Sequence, residues 1–286
     1  MRQDRHIARD ISYAHSAQTR GGRAMIRTME TLSGRLRLIK RASGYENEVA
    51  QGRDFWQVMV DRYGLSLNVV AGSLSHIPQS GPVIMIANHP YGILDGLMMG
   101  HMLSQTRGDF RILANHVFRK AQDLNRVVLP VSFDETKEAV QLNLKTRKTA
   151  LEYLGQGGAI GIFPGGAVST SATPFSKPMD PGWRNFTARM IAKSNATVVP
   201  VFFEGHCSRL FQLASHLHST LRMGLLIKEF GKRVDTPVNV VIGDPIGRDQ
   251  LDQAGDGKSL MEFLRMKTYE LSPSPLDSSA RGFEWD

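Results

Sequence analysis

Two side chains able to move a proton, His89 and Asp95, are separated by only five residues in the stretch PVIMIANHPYGILDGLMM. An imidazole titrates near neutral pH and can serve as a general base. A carboxylate beside it fixes the tautomer and stabilises the imidazolium. His89 closes an apolar run of strand type. Asp95 can turn back to it if the chain bends between Pro90 and Gly92 and a helix starts near Ile93. Gly92 suits that bend because glycine accepts positive φ. The same residues also have a structural reading: a loop His bonded to backbone, and an acid favoured at a helix start by the dipole.

Two more apolar runs end in unusual residues. AIGIF passes into Pro164, Gly165 and Gly166, and VVPVFF passes into Glu204, Gly205 and His206. Apolar runs over residues 67–71, 83–87, 110–114, 127–131, 159–163, 198–203 and 238–242 read as strands. Helical patterns lie near 94–104, 134–154, 183–194, 208–218 and 258–271, with Asp134 as a start and Gly155 as a stop for the second. This alternation predicts an α/β fold, a single domain with a mostly parallel central sheet flanked by helices. Ligands of such sheets bind beyond the carboxyl ends of the strands, so three special strand ends would line one crevice. The expected organisation is a helical segment over 1–64, the α/β domain over 65–271, and a flexible tail over 272–286.

The 286-residue chain has a formal net charge of +8 and a sequence pI of about 9.7, which favours an anionic partner. Arg20, Arg23, Arg27, Arg35, Arg37, Lys40 and Arg41 face few acids. Among them Met25, Ile26, Met29, Leu32, Leu36 and Leu38 recur as in a basic amphipathic helix, which either lies on an anionic membrane surface or packs on the domain. Nucleic acid is not the expected partner, because the basic segment has Tyr13 and Tyr45 only at its edges and no base-stacking aromatics within. No run reaches the roughly 18 apolar residues of a membrane-spanning helix. The opening residues lack the apolar stretch of a secretory leader, and Cys207, the only cysteine, excludes an internal disulfide. The expectation is a cytoplasmic chain, peripheral on the inner face of the cytoplasmic membrane. The glycines of GQGGAIGIFPGG precede a strand, which is the wrong context for a dinucleotide or P-loop motif. Cys207 reads as a small buried residue. His216 and His218 lack companions at ligand spacing, so no metal is expected.

Four blocks, in order, resemble the glycerolipid and lysophospholipid acyltransferases that carry a His–Asp motif. NHPYGILDG resembles their catalytic block, and GDFRILANHVFRK the second block, which helps shape the acceptor site. FPGGAVST resembles the third, and VVPVFFEGHCSRLFQLAS the fourth, where a strand leads into the donor or acceptor pocket. The likeness runs over about residues 81–246 and points to the hemolysin-like branch, which includes bacterial enzymes that complete ornithine-type aminolipids. It implies a lysolipid O-acyltransferase in which His89 takes the proton of the acceptor hydroxyl, Asp95 orients His89, and no covalent enzyme intermediate forms. Backbone N–H groups at 165–167 are then candidate oxyanion donors, with Asn88 and Asn115 as side-chain alternatives. Gly92, Phe163, Pro164, Gly165, Gly166, Glu204, Gly205 and Arg209 complete the expected substrate-binding set. No cofactor is implied beyond the thioester donor, acyl-ACP or acyl-CoA, and the basic surface suits acyl carrier protein or coenzyme A equally.

The chain also departs from the family pattern. Five residues separate His89 from Asp95 where the family usually has four. Gly165 and Ala167 stand where an acid is expected, and Val168, Ser169 and Thr170 where an Arg often follows. Arg grips phosphate in a bidentate way that Ser and Thr do not match. The expected acceptor is therefore a lyso-aminolipid, with acylation of 1-acylglycerol-3-phosphate (lysophosphatidic acid) as the alternative. Arg184, Arg189 and Arg209 are the cations considered able to replace the missing one. Glu204 either pairs with Arg209 or Arg111 or meets the acceptor amine. An inactive lipid-binding relative is a third reading, motivated by the missing acid.

Overall fold

The computed structural model describes residues 12–14, 17, 19–115, 122–132 and 136–284. Helices α1 (Arg20–Leu32), α2 (Arg35–Ala42), α3 (Tyr45–Ala50) and α4 (Phe55–Arg62) precede the first strand. Then follow β1 (Ser66–Ala71), β2 (Val83–Ala87), α5 (Ile93–Arg107), β3 (Arg111–Asn115), α6 (Gln122–Asn125), β4 (Val128–Val131), α7 (Lys137–Gly155) and β5 (Ala159–Ile162). A two-stranded hairpin, β6 (Thr170–Ser171) and β7 (Pro178–Met179), leads to α8 (Asn185–Ala192), β8 (Thr197–Phe203), α9 (Arg209–Leu217), α10 (Ser219–Arg233), β9 (Pro237–Ile242), α11 (Arg248–Gln253) and α12 (Gly257–Glu270). The large sheet has seven strands in the order β1-β9-β8-β2-β5-β3-β4. Strands β8, β2, β5, β3 and β4 run parallel. Strand β9 is antiparallel to β8, and β1 is parallel to β9.

Both faces of this sheet are covered, which is why its strands read as continuous apolar runs. In β2 all five residues are buried. Val83, Met85 and Ala87 face one core cluster together with Val199, Val201 and Phe203 of β8. Ile84 and Ile86 face the other, with side chains from α7, α8 and α12. The period of two thus divides each strand between two hydrophobic layers. Each expected strand is present with its ends moved by one residue at most. The predicted start at Asp134 lies outside the described residues; the cap is Thr136, whose hydroxyl accepts from the Ala139 N–H at 3.1 Å.

At both ends the described residues pack on the α/β domain. Leu38, Ala42, Tyr45, Trp56 and Tyr63 are buried in the main cluster, so the described part of 1–64 packs as part of the same core. The residues after α12 are also held in place. Gly282 N–H donates to the Asp180 carbonyl at 2.8 Å and Phe283 N–H to the Thr170 carbonyl at 3.1 Å. The fully buried Arg265 explains this docking, because its guanidinium must place its donors. It finds carbonyls at Ser278, 2.9 Å away, and at Ala280.

Helix α5, which carries Asp95, is wedged in by close packing. A β-carbon at Gly100 would overlap the Trp56 ring of α4, and one at Gly161 of β5 would overlap Met99. In an exposed helix Gly→Ala stabilises by up to about 1 kcal/mol. Here the sign should reverse: Gly100→Ala is predicted to lose about 1–3 kcal/mol from overpacking. Urea unfolding measures this, and a stability equal to or above wild type would refute the tight seating of α5.

Candidate active site

Strand β2 ends where Asn88 takes over its ladder. Asn88 Nδ2 donates to the Phe203 carbonyl at 2.9 Å, and Asn88 Oδ1 accepts from the Phe203 N–H at 2.7 Å. A side-chain amide replaces the next main-chain pairing, and the backbone is free to leave the sheet at His89. The main chain of His89 is then held on both sides. Its N–H donates to Asp180 Oδ1 at 3.1 Å, and its carbonyl accepts from the Ser169 N–H at 2.8 Å. Its ring stacks on Phe163 with centroids 4.2 Å apart.

Gly92 makes the turn with φ of 82°, and α5 begins after it. Asp95 in the first turn of α5 has no exposed surface. Its Oδ2 accepts from the N–H groups of Tyr91 at 2.8 Å and Gly92 at 2.9 Å, and stands 3.0 Å from His89 Nδ1. That last approach is close in distance but off the ring N–H direction, and Oδ1 is buried without a partner. Burial pushes the Asp95 carboxyl above its usual range, opposed by the His89 contact and the two N–H donors. Asp95 therefore caps its helix and faces the imidazole at once.

The strand ends of β2, β5 and β8 converge as expected. The Pro164 carbonyl accepts from the Arg184 N–H at 3.1 Å, and the Gly166 N–H closes a turn on the Phe163 carbonyl at 3.0 Å. Gly165 is buried against Asp180. Asn88, bonded at both ends of its amide, is a clamp between strands. Asn115 ends β3, beyond β5. The two partners expected for Glu204 are engaged elsewhere: Arg209 bonds the Ser176 carbonyl at 3.2 Å, and Arg111 bonds Asp109 at 2.6 Å. Glu204 instead accepts from Asn239 Nδ2 at 2.8 Å, and Asn239 Oδ1 accepts from Asn68 Nδ2 at 2.8 Å. Gly205 has φ of 99° and lies under the Tyr91 hydroxyl, which donates to the Glu204 carbonyl at 3.1 Å. Burial pushes the Tyr91 phenol up to about 12.

Sequence reasoning missed the residues that hold these loops together. Asp180 is fully buried and accepts from the Ser169 hydroxyl at 2.5 Å and the Trp183 indole at 3.0 Å. Arg222 on α10 donates to the Val168 carbonyl at 2.6 Å and Thr170 Oγ1 at 3.3 Å, so it reaches the third block, whereas Arg184, Arg189 and Arg209 are exposed. Burial draws the Arg222 guanidinium down to about 10. The acid between two prolines in PMDPGW was the available signal for Asp180.

The family model described as "Acyltransferase" matches residues 39–279. The chain is 23% identical over 227 residues to the lyso-glycine lipid O-acyltransferase of Phocaeicola vulgatus, covering 77% of this chain and 78% of that protein. It is 22% identical over 233 residues to the protein of the same name from Bacteroides thetaiotaomicron, covering 79% and 82%. Among solved structures, a 1-acyl-sn-glycerophosphate (LPA) acyltransferase, PlsC, from Thermotoga maritima aligns over 90% of this chain and 83% of that one at 16% identity and a TM-score of 0.44.

The Asp95 environment makes a prediction about stability. A carboxyl raised above its unfolded value of about 3.9 favours folding fully only below that pH, and the benefit is lost as pH rises through the raised value. At pH 8 the ionised group therefore costs stability. Asp95→Asn keeps an acceptor for Tyr91 and Gly92, so its melting temperature at pH 8 should equal or exceed wild type, with the gap closing toward acid. A variant melting well below wild type at pH 8 would show that the contacts of the carboxylate stabilise the fold on balance.

Proposed function

The chain belongs to the acyltransferase family, and from that membership we propose that it is a lysolipid O-acyltransferase. It moves an acyl group from a thioester, acyl-ACP or acyl-CoA, to the hydroxyl of a lyso-aminolipid. The observation that carries this reading is the His89–Asp95 pair, 3.0 Å apart at the carboxyl ends of β2, β5 and β8. A carboxylate at Nδ1 favours the tautomer with its proton there and leaves the Nε2 lone pair as the base. Nε2 takes the hydroxyl proton as that oxygen attacks the thioester carbonyl. The C–S bond breaks as the tetrahedral species collapses, and the imidazolium returns its proton to the leaving thiolate. Stacking on Phe163 limits rotation of the ring. With Gly166 N–H engaged in its turn, the N–H groups of Gly165 and Ala167 are the proposed oxyanion donors.

The acceptor class rests on two supports. Two relatives are named for lyso-glycine lipid, and the third block presents Val168, Ser169 and Thr170 in place of a phosphate-gripping Arg. The acceptor and product are lipids, and the surface suits a bilayer. Leu32 is 84% exposed on α1 and Leu36 60% exposed on α2, among arginines. Leu210, Leu213 and Leu217 form an exposed stripe along α9. No helix among the described residues is long and apolar enough to cross a membrane. The proposed location is therefore peripheral, on the anionic inner face of the cytoplasmic membrane.

Lipid analysis of a host lacking the gene tests the activity. One lyso-aminolipid should accumulate and its acylated product vanish, with restoration by wild type and not by His89→Ala. A fall in phosphatidic acid and its products instead would replace the acceptor with lysophosphatidic acid, and restoration by His89→Ala would remove His89 from catalysis. For the membrane contact, Leu32→Glu with Leu36→Glu should cut flotation with anionic vesicles several-fold. Unchanged flotation would show that this face does not meet the bilayer.

A further inference from the structure

We propose that Asp180 is the positioning residue for His89. It is a buried carboxylate that joins the loop after β2 to the loop after β5 and so sets where the imidazole stands. The inference rests on the acyltransferase reading only for what His89 does; the geometry is independent of it.

Three donors converge on the two oxygens of Asp180. Oδ1 takes the His89 N–H at 3.1 Å and the Ser169 hydroxyl at 2.5 Å, and Oδ2 takes the Trp183 indole N–H at 3.0 Å. Ser169 returns its own N–H to the His89 carbonyl at 2.8 Å. His89, Asp180 and Ser169 thus close a ring of hydrogen bonds around the His89 main chain. Both peptide groups beside the His89 α-carbon are pinned, with the imidazole stacked on Phe163 and its Nδ1 3.0 Å from Asp95 Oδ2. The main chain of Asp180 is fixed as well: its N–H donates to the Tyr269 hydroxyl at 2.7 Å, and its carbonyl accepts from Gly282 N–H at 2.8 Å. An amide cannot replace this carboxylate, because one end would turn N–H donors toward another donor. The Trp183 indole or another buried donor is then left without an acceptor.

Gly165 completes the argument. A β-carbon there would lie 3.3 Å from the Asp180 β-carbon and 3.4 Å from its Oδ2, so position 165 looks directly at the carboxylate. Its φ lies outside the left-handed region, so a side chain is compatible with the backbone. Position 165 is one of the two positions, with Ala167, where the third block was expected to carry an acid. Asp180 brings a carboxylate to the same place from the β6–β7 hairpin, and glycine at 165 leaves the room for it.

The test compares Asp180→Asn, Asp180→Ala and Asp180→Ala with Gly165→Asp. Folding is checked by circular dichroism, and steady-state acyl transfer gives kcat and KM separately. Histidine side-chain ¹⁵N spectra report the His89 tautomer without any substrate. Displacing a catalytic group by about 1 Å can cost on the order of 100-fold. Asp180→Asn and Asp180→Ala should lose about 10- to 100-fold in kcat with KM for the thioester little changed. The His89 signal should pass from one tautomer to a mixture, and Gly165→Asp should restore part of kcat. A folded Asp180→Asn with kcat within twofold of wild type and an unchanged His89 spectrum overturns the proposal. If neither Asp180 variant folds, Ser169→Ala decides: a lowered kcat at constant KM supports the ring, and an unchanged kcat breaks it. A wild type inactive on every acceptor would instead defeat the acyltransferase mechanism, while the His89 spectra would still judge Asp180.

Discussion

Keeping the Asp95 carboxylate in the interior is the constraint on which the rest of the site depends. Moving such a group out of water costs several kcal/mol even after relaxation. The compensation comes from the Tyr91 and Gly92 N–H groups, the positive end of α5 and the facing imidazole. All of these are in reach only if the chain turns at Gly92. The turn is in turn braced from outside: the Tyr91 hydroxyl reaches the Glu204 carbonyl, and the buried Cys207 thiol reaches the Pro90 carbonyl at 3.2 Å. A sixth position between His and Asp would change this turn before it changed any chemistry.

The sheet converts that local arrangement into a crevice. Strand β2 is central, with β5 on one side and β8 on the other, so residues leaving its end meet loops from both neighbours. The antiparallel step from β8 to β9 brings Asn239 beside Glu204, and the Asn68–Asn239–Glu204 row forms a polar rim on that side. On the β5 side the rim is aromatic and glycine-rich, with Phe163 under the His89 ring. The two sides differ in character: one is lined by amides and a carboxylate, the other by an aromatic ring and glycines.

Strands were legible because a sheet buried on both faces needs uninterrupted apolar runs, and runs such as VIMIA have no competing reading. His89 and Asp95 were legible because an imidazole and a carboxylate stood at a strand end, close in sequence. Helix α10 was not legible, since Arg222 and Glu229 face inward among its apolar residues and blur the amphipathic pattern. Asp180 was hidden for a related reason: its partners His89, Ser169, Trp183 and Tyr269 are brought together by tertiary contacts that local patterns do not encode. The binding partner of Glu204 was misjudged because charge suggested an arginine, whereas the reversal of β9 supplied an amide. The reading of 272–286 as flexible followed from its Ser and Pro content; buried Arg265 had already created a demand for carbonyls there.

The docking of Gly282 and Phe283 on the β6–β7 hairpin has a bearing on how the molecule is born. A ribosome delivers β2 and His89 first, then β5, the hairpin with Asp180, then β8, and only much later the segment whose N–H groups cover the Asp180 and Thr170 carbonyls. Domains generally fold as units, so the surroundings of the His89–Asp95 pair are complete only once that segment has emerged. The finished surroundings of His89 therefore wait on residues bonded to the Asp180 and Thr170 main chain.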